Sequence, residues 1–219
     1  MTKQTTKSVE IFGPSFSNFV RSVMLLCEEY GVEYTTGLNF DGKTIEYKSA
    51  EHLQLHPYGK FPLLKHDDLI LSETASICRY IQTTFDQDIA SKFSIQQLAR
   101  IDAFSALISI YIDKAIIRDY LLEFAFPKGK EGEVRLDVAK EKQADVHKAF
   151  SVIERELSQG DSLNNEHLSI ADALIAPMLH YVSTLPAAFN VLPEYQLTNR
   201  YLAHLMAKES VSKVLTTKR

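Results

Sequence analysis

Three stretches of this 219-residue chain gather residue types that can bind an anion or leave backbone open to a ligand. They are Gly13-Pro14-Ser15-Phe16-Ser17-Asn18-Phe19-Val20-Arg21, His56-Pro57-Tyr58-Gly59-Lys60-Phe61-Pro62-Leu63-Leu64 and Leu71-Ser72-Glu73-Thr74-Ala75-Ser76-Ile77. Ser17 follows a strand-like run and opens a helix-like one, where unpaired N–H groups and the helix dipole favour negative charge. Pro62 stands at the start of a strand, a place that calls for an edge or a cis bond and exposes the neighbouring backbone. Glu73 and Thr74 open a second helix. Taken singly, each of these residues is also ordinary capping or turn chemistry.

Two further motifs are weaker. Gly37-Leu38-Asn39-Phe40-Asp41-Gly42-Lys43-Thr44 fits the phosphate-loop pattern GxxxxGK[ST] at every required position. Such a loop has to follow a buried strand and open a substantial helix, so that its N–H groups converge on phosphate. Here Glu33, Thr35 and Thr36 interrupt the strand, Leu38 and Phe40 crowd the loop, and Pro57 cuts the next segment short. Nucleotide binding is not expected. His52 and His56 have the four-residue spacing of metal ligands on a helix, but the glutamate of HExxH is missing and Pro57 pushes His56 out of helical conformation. No metal site is expected either. Cys27 and Cys78 sit in apolar, helix-like runs and read as inert core positions, and neither CxxC nor GxSxG is present.

The elements that carry these residues follow from periodicity. Val9 to Phe12 reads as a short strand ended by Gly13-Pro14, and Phe19 to Tyr30 as a helix before a C-cap-like Gly31. Val32 to Phe40 reads as a second strand and Asp41 to Leu55 as a polar, irregular connection. Phe61 to Leu64 and Leu69 to Leu71 form a tight hairpin around Asp67-Asp68, and Glu73 to Phe85 a helix with Glu73 suited to its dipole. Past the polar stretch Thr83 to Ser94 the pattern is helical: Ile95 to Phe124, a charged break at Lys128 to Glu133, then Leu136 to Leu157. Ser169-Ile170-Ala171-Asp172 is a capping box opening the apolar run Ala173 to Val182. The expected layout is a βαβ-ββα domain over residues 1–84, a linker over 85–94 and an all-helical domain over 95–219.

Composition excludes several classes of function. With 45% hydrophobic and 24% charged residues the chain is of ordinary globular type. Its most apolar stretch, Phe104 to Ile112, is short and broken by Ser105 and Ser109, so no membrane span is expected. The polar first seven residues lack a signal-peptide core, which points to the cytoplasm. A net charge of -4 offers nucleic acid no general attraction.

In their order and spacing the three stretches resemble the glutathione S-transferase family, over almost the whole chain. The resemblance implies an α/β thioredoxin-like N-terminal domain followed by an all-α helical C-terminal domain. It implies conjugation of the glutathione thiolate to a small hydrophobic electrophile, with glutathione as co-substrate and no other cofactor. It also implies a homodimer in which the first domain of each subunit meets the second domain of the other. The match is to the serine-type phi, theta and delta groups: Ser17, four residues before Arg21, is the implied catalytic hydroxyl, and Ser15 competes with it. The family's Asn-Pro-x-Gly-x-Val-Pro appears as His56 to Pro62, making Pro62 the implied cis-proline and Phe61 the residue whose backbone pairs with the cysteinyl part of glutathione. Glu73-Thr74 matches the family's Glu-Ser pair for the γ-glutamyl end, and Asp172 the capping box of the core C-terminal helix. For the glycine carboxylate Lys48 is the choice by position and charge, with Lys60 second. The electrophile pocket is expected between the first helix and the long helix of the second domain, with Phe16, Ile108 and Tyr111 placed there by helical phase. The Ser-Ser-Cys signature of zeta isomerases and the catalytic cysteine of omega and beta types are absent, which disfavours isomerisation and thiol transfer. The fold also serves non-catalytic binding proteins, the alternative reading, and the matched glutathione ligands favour the enzyme.

Overall fold

Backbone contacts divide the chain into two units, residues 1–92 with 209–219, and residues 93–208. The computed structural model describes residues 7–86, 88–163 and 166–217; the polar segment 1–6 lies outside the described residues.

The first unit is built on a four-stranded sheet. Its strands are β1 (Ser8–Phe12), β2 (Glu33–Gly37), β5 (Leu63–His66) and β6 (Leu69–Leu71), in the order β2-β1-β5-β6. Between them run a short hairpin, β3 (Asn39–Phe40) and β4 (Lys43–Thr44), and the helices α1 (Asn18–Glu29) and α2 (Ala50–Leu55). Two helices follow the sheet, α3 (Thr74–Phe85) and the one-turn α4 (Ile89–Lys92). The expected βαβ-ββα order is present, and the Asp67-Asp68 turn joins β5 to β6 as anticipated. α1 buries Val20 and the run Val23 to Cys27, and packs against α3.

Register fixes where the loops emerge. β1 and β2 are parallel, with Phe12 opposite Gly37, whereas β5 is antiparallel to β1, with Phe12 opposite Leu63. β6 returns antiparallel to β5, with Leu71 opposite Leu64. The carboxyl ends of β1, β2 and β6 and the amino end of β5 therefore share one end of the sheet. Segments 13–17, 61–62 and 72–74 all leave from that end.

Three local differences from the sequence reading have physical causes. Val32 to Phe40 is not one strand: β2 stops at Gly37 (φ +129°), the chain bends at Leu38, and Phe40 turns in to join Phe12, Ile45 and Leu63. The phosphate-loop pattern is thus a β-hairpin turned at Asp41-Gly42, with Lys43 paired to Glu51 at 3.6 Å. The irregular connection contains α2, whose N-cap Ser49 accepts from the His52 N–H at 3.2 Å. His56 leaves that helix with φ -142° and ψ 110°, as a residue before proline does.

The second unit is helical. α5 (Ile95–Leu107) starts at a Ser94–Gln97 capping box and continues through π-helical turns at Ile108–Ile112 and Lys114–Leu121 into α6 (Leu122–Ala125). The wider winding brings residues five apart together, and Asp113 pairs with Arg118 and Lys114 with Asp119. α7 (Leu136–Gln159), α8 (Ile170–Ser183) and α9 (Gln196–Met206) complete the unit. The capping box read in the sequence is formed: Asp172 N–H donates to Ser169 Oγ at 3.1 Å, and Ser169 N–H to Asp172 Oδ2 at 2.8 Å. Asp172 also accepts from the buried Tyr201 hydroxyl.

The last helix, α10 (Glu209–Thr216), falls in the first unit, whereas the sequence reading carries the helical domain through residue 219. Val211, Val214 and Leu215 are buried, and α10 packs against α1.

Candidate active site

Gly13 ends β1 with φ +139°. A Cβ there would lie 2.7 Å from Val20 Cγ2 and 3.0 Å from Phe61 Cβ, so glycine lets the strand end, α1 and Phe61 close together. The next turn is held by Ser17 N–H donating to the Pro14 carbonyl at 2.9 Å. Arg21 is buried beneath it, its Nε donating to the Ser15 carbonyl (3.2 Å) and its Nη1 to the Leu215 carbonyl (3.4 Å). Ser17 is the N-cap of α1, half-buried, with φ -66° and ψ 133°, and its hydroxyl makes no capping bond to the helix. Its Oγ therefore accepts no N–H from the helix it begins. Ser15 is exposed.

The second loop carries a cis Phe61–Pro62 bond, as the sequence implied. β5 begins at Leu63, so Phe61 stands just outside the ladder. The Phe61 ring is stacked by His52 (5.2 Å, 17°) and by Tyr47 (5.1 Å, 28°), with Phe12 edge-on at 5.2 Å.

Glu73 is the N-cap of α3 with φ +69°, a left-handed conformation uncommon for a residue with a side chain. Its side chain is 76% exposed and makes no capping bond, while Thr74 is buried. His56 approaches it, Nε2 lying 3.7 Å from Glu73 Oε1. Because His56 Nδ1 accepts from the Tyr58 N–H (3.2 Å), the ring proton sits on Nε2 and faces the carboxylate.

The lysines lie on either side of α2. Lys48 has φ +60°, and its Nζ stands 5.3 Å above the Tyr47 ring. Its N–H donates to His52 Nδ1 at 3.0 Å, and His52 Nε2–H donates to the Lys60 carbonyl at 3.2 Å. Burial holds the His52 imidazole below its usual pKa against the pull of the Lys60 carbonyl, and His56 adds to the lowering. Both cysteines are buried with their thiols pushed up by desolvation, which leaves neither as a nucleophile.

A family model for the glutathione S-transferase N-terminal domain matches residues 7–83, and one for the C-terminal domain matches residues 113–209. The chain belongs to the glutathione S-transferase family. Among its relatives is the protein named probable glutathione S-transferase GSTF1 of Oryza sativa subsp. japonica, 29% identical over 94% of both chains. Glutathione S-transferase 1 of Triticum aestivum is 26% identical over 94% of this chain and 93% of its own. In structure the chain is similar to a glutathione S-transferase-I bound with lactoylglutathione (TM-score 0.78, 26% identity, 94% and 98% of the two chains). It is equally similar to glutathione S-transferase I from maize in complex with an atrazine glutathione conjugate (TM-score 0.78, 25% identity, 94% and 96%).

In this transferase one residue of the expected electrophile pocket needs correction. Ile108 is fully buried within the core of the helical unit, in helical phase with the buried Ile101, Phe104 and Ile112, so it presents no surface to a substrate. Phe16 is 40% exposed and Tyr111 68% exposed. Reasoning from the sequence also missed His52, set aside as half of an unlikely metal pair. Its signal was its place between Lys48 and Lys60, with an aromatic neighbour in each flanking segment.

Proposed function

We propose that this glutathione transferase holds glutathione across one end of its N-terminal sheet, with Ser17 stabilising the thiolate for attack on a small hydrophobic electrophile. The reading is carried by the strand register, through which Ser17, the cis Phe61–Pro62 bond and Glu73-Thr74 leave the sheet from the same end. A free thiol has a pKa near 8.5, and lowering it by about two units corresponds to about 2.7 kcal/mol of thiolate stabilisation. The Ser17 hydroxyl supplies a charge-assisted hydrogen bond, and the N-terminus of α1 a favourable field. Glu73 takes the γ-glutamyl ammonium, and the N–H groups opening α3 take its carboxylate. The Phe61 backbone pairs with the cysteinyl unit, and Lys48, with Lys60 second, takes the glycine carboxylate. Phe16, exposed beside Ser17, remains a candidate for contact with the electrophile.

On the family reading alone we assign the enzyme to cytoplasmic detoxification as a homodimer. Light scattering is expected to return about twice the 24.8 kDa chain mass, and a mass near 24.8 kDa across micromolar concentrations rejects the dimer. The function itself is tested by turnover of glutathione with a general aryl-halide electrophile. Saturable conjugation is expected, whereas glutathione affinity without turnover on any electrophile panel favours a non-catalytic binding protein.

A further inference from the structure

His52 is fully buried, yet both of its ring nitrogens serve segments outside the core. Nδ1 accepts from the Lys48 N–H and Nε2–H donates to the Lys60 carbonyl, at 3.0 and 3.2 Å, while the ring face lies on Phe61. We propose that His52 is the positioning residue for the glycine and cysteinyl end of the glutathione site, a neutral imidazole that sets the backbone of both lysines and the plane of Phe61. The inference rests on the reading that these lysines and the Phe61 backbone bind glutathione.

Three observations favour this over a role in packing alone. Lys48 is held at φ +60°, which a lysine adopts only when its surroundings hold it there, and its N–H is tied to His52. The two lysines are twelve residues apart on opposite sides of α2, and one ring bonds to the backbone of both. The ring is itself fixed on its other sides, by Phe12 edge-on at 5.0 Å and Tyr47 at 5.8 Å, so its polar edge has one orientation. A phenyl ring would fill the same space and stack as well, but would bond neither segment.

The test combines calorimetry with S-methylglutathione and steady-state kinetics on the full-length protein. It compares the wild type with Lys48→Ala, Lys60→Ala, the lysine double variant, His52→Phe, His52→Asn and His52→Phe combined with the two lysine changes. His52→Phe takes the partner from the Lys48 N–H and the Lys60 carbonyl and so frees both segments, and is expected to raise the glutathione KM about tenfold with kcat at saturation within about twofold. His52→Asn, whose Oδ1 stands near the place of Nδ1, is expected to recover part of that loss. Adding His52→Phe to the lysine double variant is expected to weaken binding by less than about twofold, since the lysine side chains it places are gone and the phenyl ring still stacks on Phe61. A loss confined to the lysine variants, penalties that add in full, or a fall in kcat without a rise in KM overturns this inference alone. Lysine variants that bind normally overturn the lysine reading and this inference with it. Should His52→Phe not fold, ¹⁵N spectra of the wild-type imidazole carry the test. One neutral tautomer protonated at Nε2 and shifting on saturation with S-methylglutathione is expected, and resonances insensitive to the ligand overturn the proposal.

Discussion

Replacing Ser17 by alanine separates the chemistry of the site from the stability of the helix that carries it. A hydrogen bond to a charged acceptor is worth about 1.5–3 kcal/mol, or about one to two pKa units on the bound thiol. Starting from a bound thiol near pH 6.5, the variant moves it to about 7.6–8.7, so the thiolate fraction at pH 7 falls from about three quarters to between about one fifth and one fiftieth. Turnover at saturating glutathione is expected to drop about four- to fortyfold at pH 7 and to recover above pH 9. The structure adds a second expectation. Serine at an N-cap usually contributes about 1 kcal/mol through its side-chain bond, but the Ser17 hydroxyl makes none, so the melting temperature should not move. Ser49→Ala is the contrast, because Ser49 does cap α2. The assay is turnover with an aryl halide from pH 5.5 to 10 alongside thermal melts. A profile shifted by Ser15→Ala and unmoved by Ser17→Ala would refute the assignment, and a melting loss in Ser17→Ala matching Ser49→Ala would refute the account of the cap.

Glu73→Ala is expected to weaken glutathione binding about tenfold or more, the size of a lost charge-assisted contact, and an unchanged Kd in calorimetry rejects it. Asp172→Ala leaves the Ser169 N–H and the Tyr201 hydroxyl buried without an acceptor, at about 1–3 kcal/mol each; a denaturation shift below about 1 kcal/mol contradicts this. Because the folded His52 has a lowered pKa, the unfolded chain binds its proton first as pH falls. Its contribution to stability is therefore complete above about pH 6.5 and is lost below it. Melting temperature should fall less steeply between pH 7.5 and 5 in His52→Asn than in the wild type, and parallel curves reject the assignment.

What the sequence disclosed was local. The Asp67-Asp68 hairpin, the Ser169 capping box and the start of α1 at Ser17 each depend on a few neighbouring residues whose types state the geometry, whereas at Pro62 those types left an edge or a cis bond open and the family resemblance implied the cis bond. α2 escaped notice because six residues are too few to show a period, and its N-cap Ser49 lies in a polar run where such a residue carries no contrast. The helical domain was carried to residue 219 because helical composition says nothing about a segment's partner, which for α10 is α1. Ile108 was misjudged because helical phase tells which residues share a face and not what covers it, and the face it shares with Ile101, Phe104 and Ile112 is turned into the core. The roles of His52 and His56 were out of reach for a different reason. Four-residue spacing suggests a shared ligand, whereas the first ring turns to the lysine segments and the second, leaving the helix before Pro57, turns to Glu73.

With Glu73 in its proposed role, its left-handed backbone sets heat resistance against substrate grip. A residue with a Cβ held at φ +69° costs on the order of 1–3 kcal/mol, and glycine would relieve most of that while giving back part through a more flexible unfolded chain. A library of variants selected for survival at high temperature, with no demand for conjugation, would therefore drift toward glycine at position 73. The hardier proteins it returned would be the ones that had let go of glutathione.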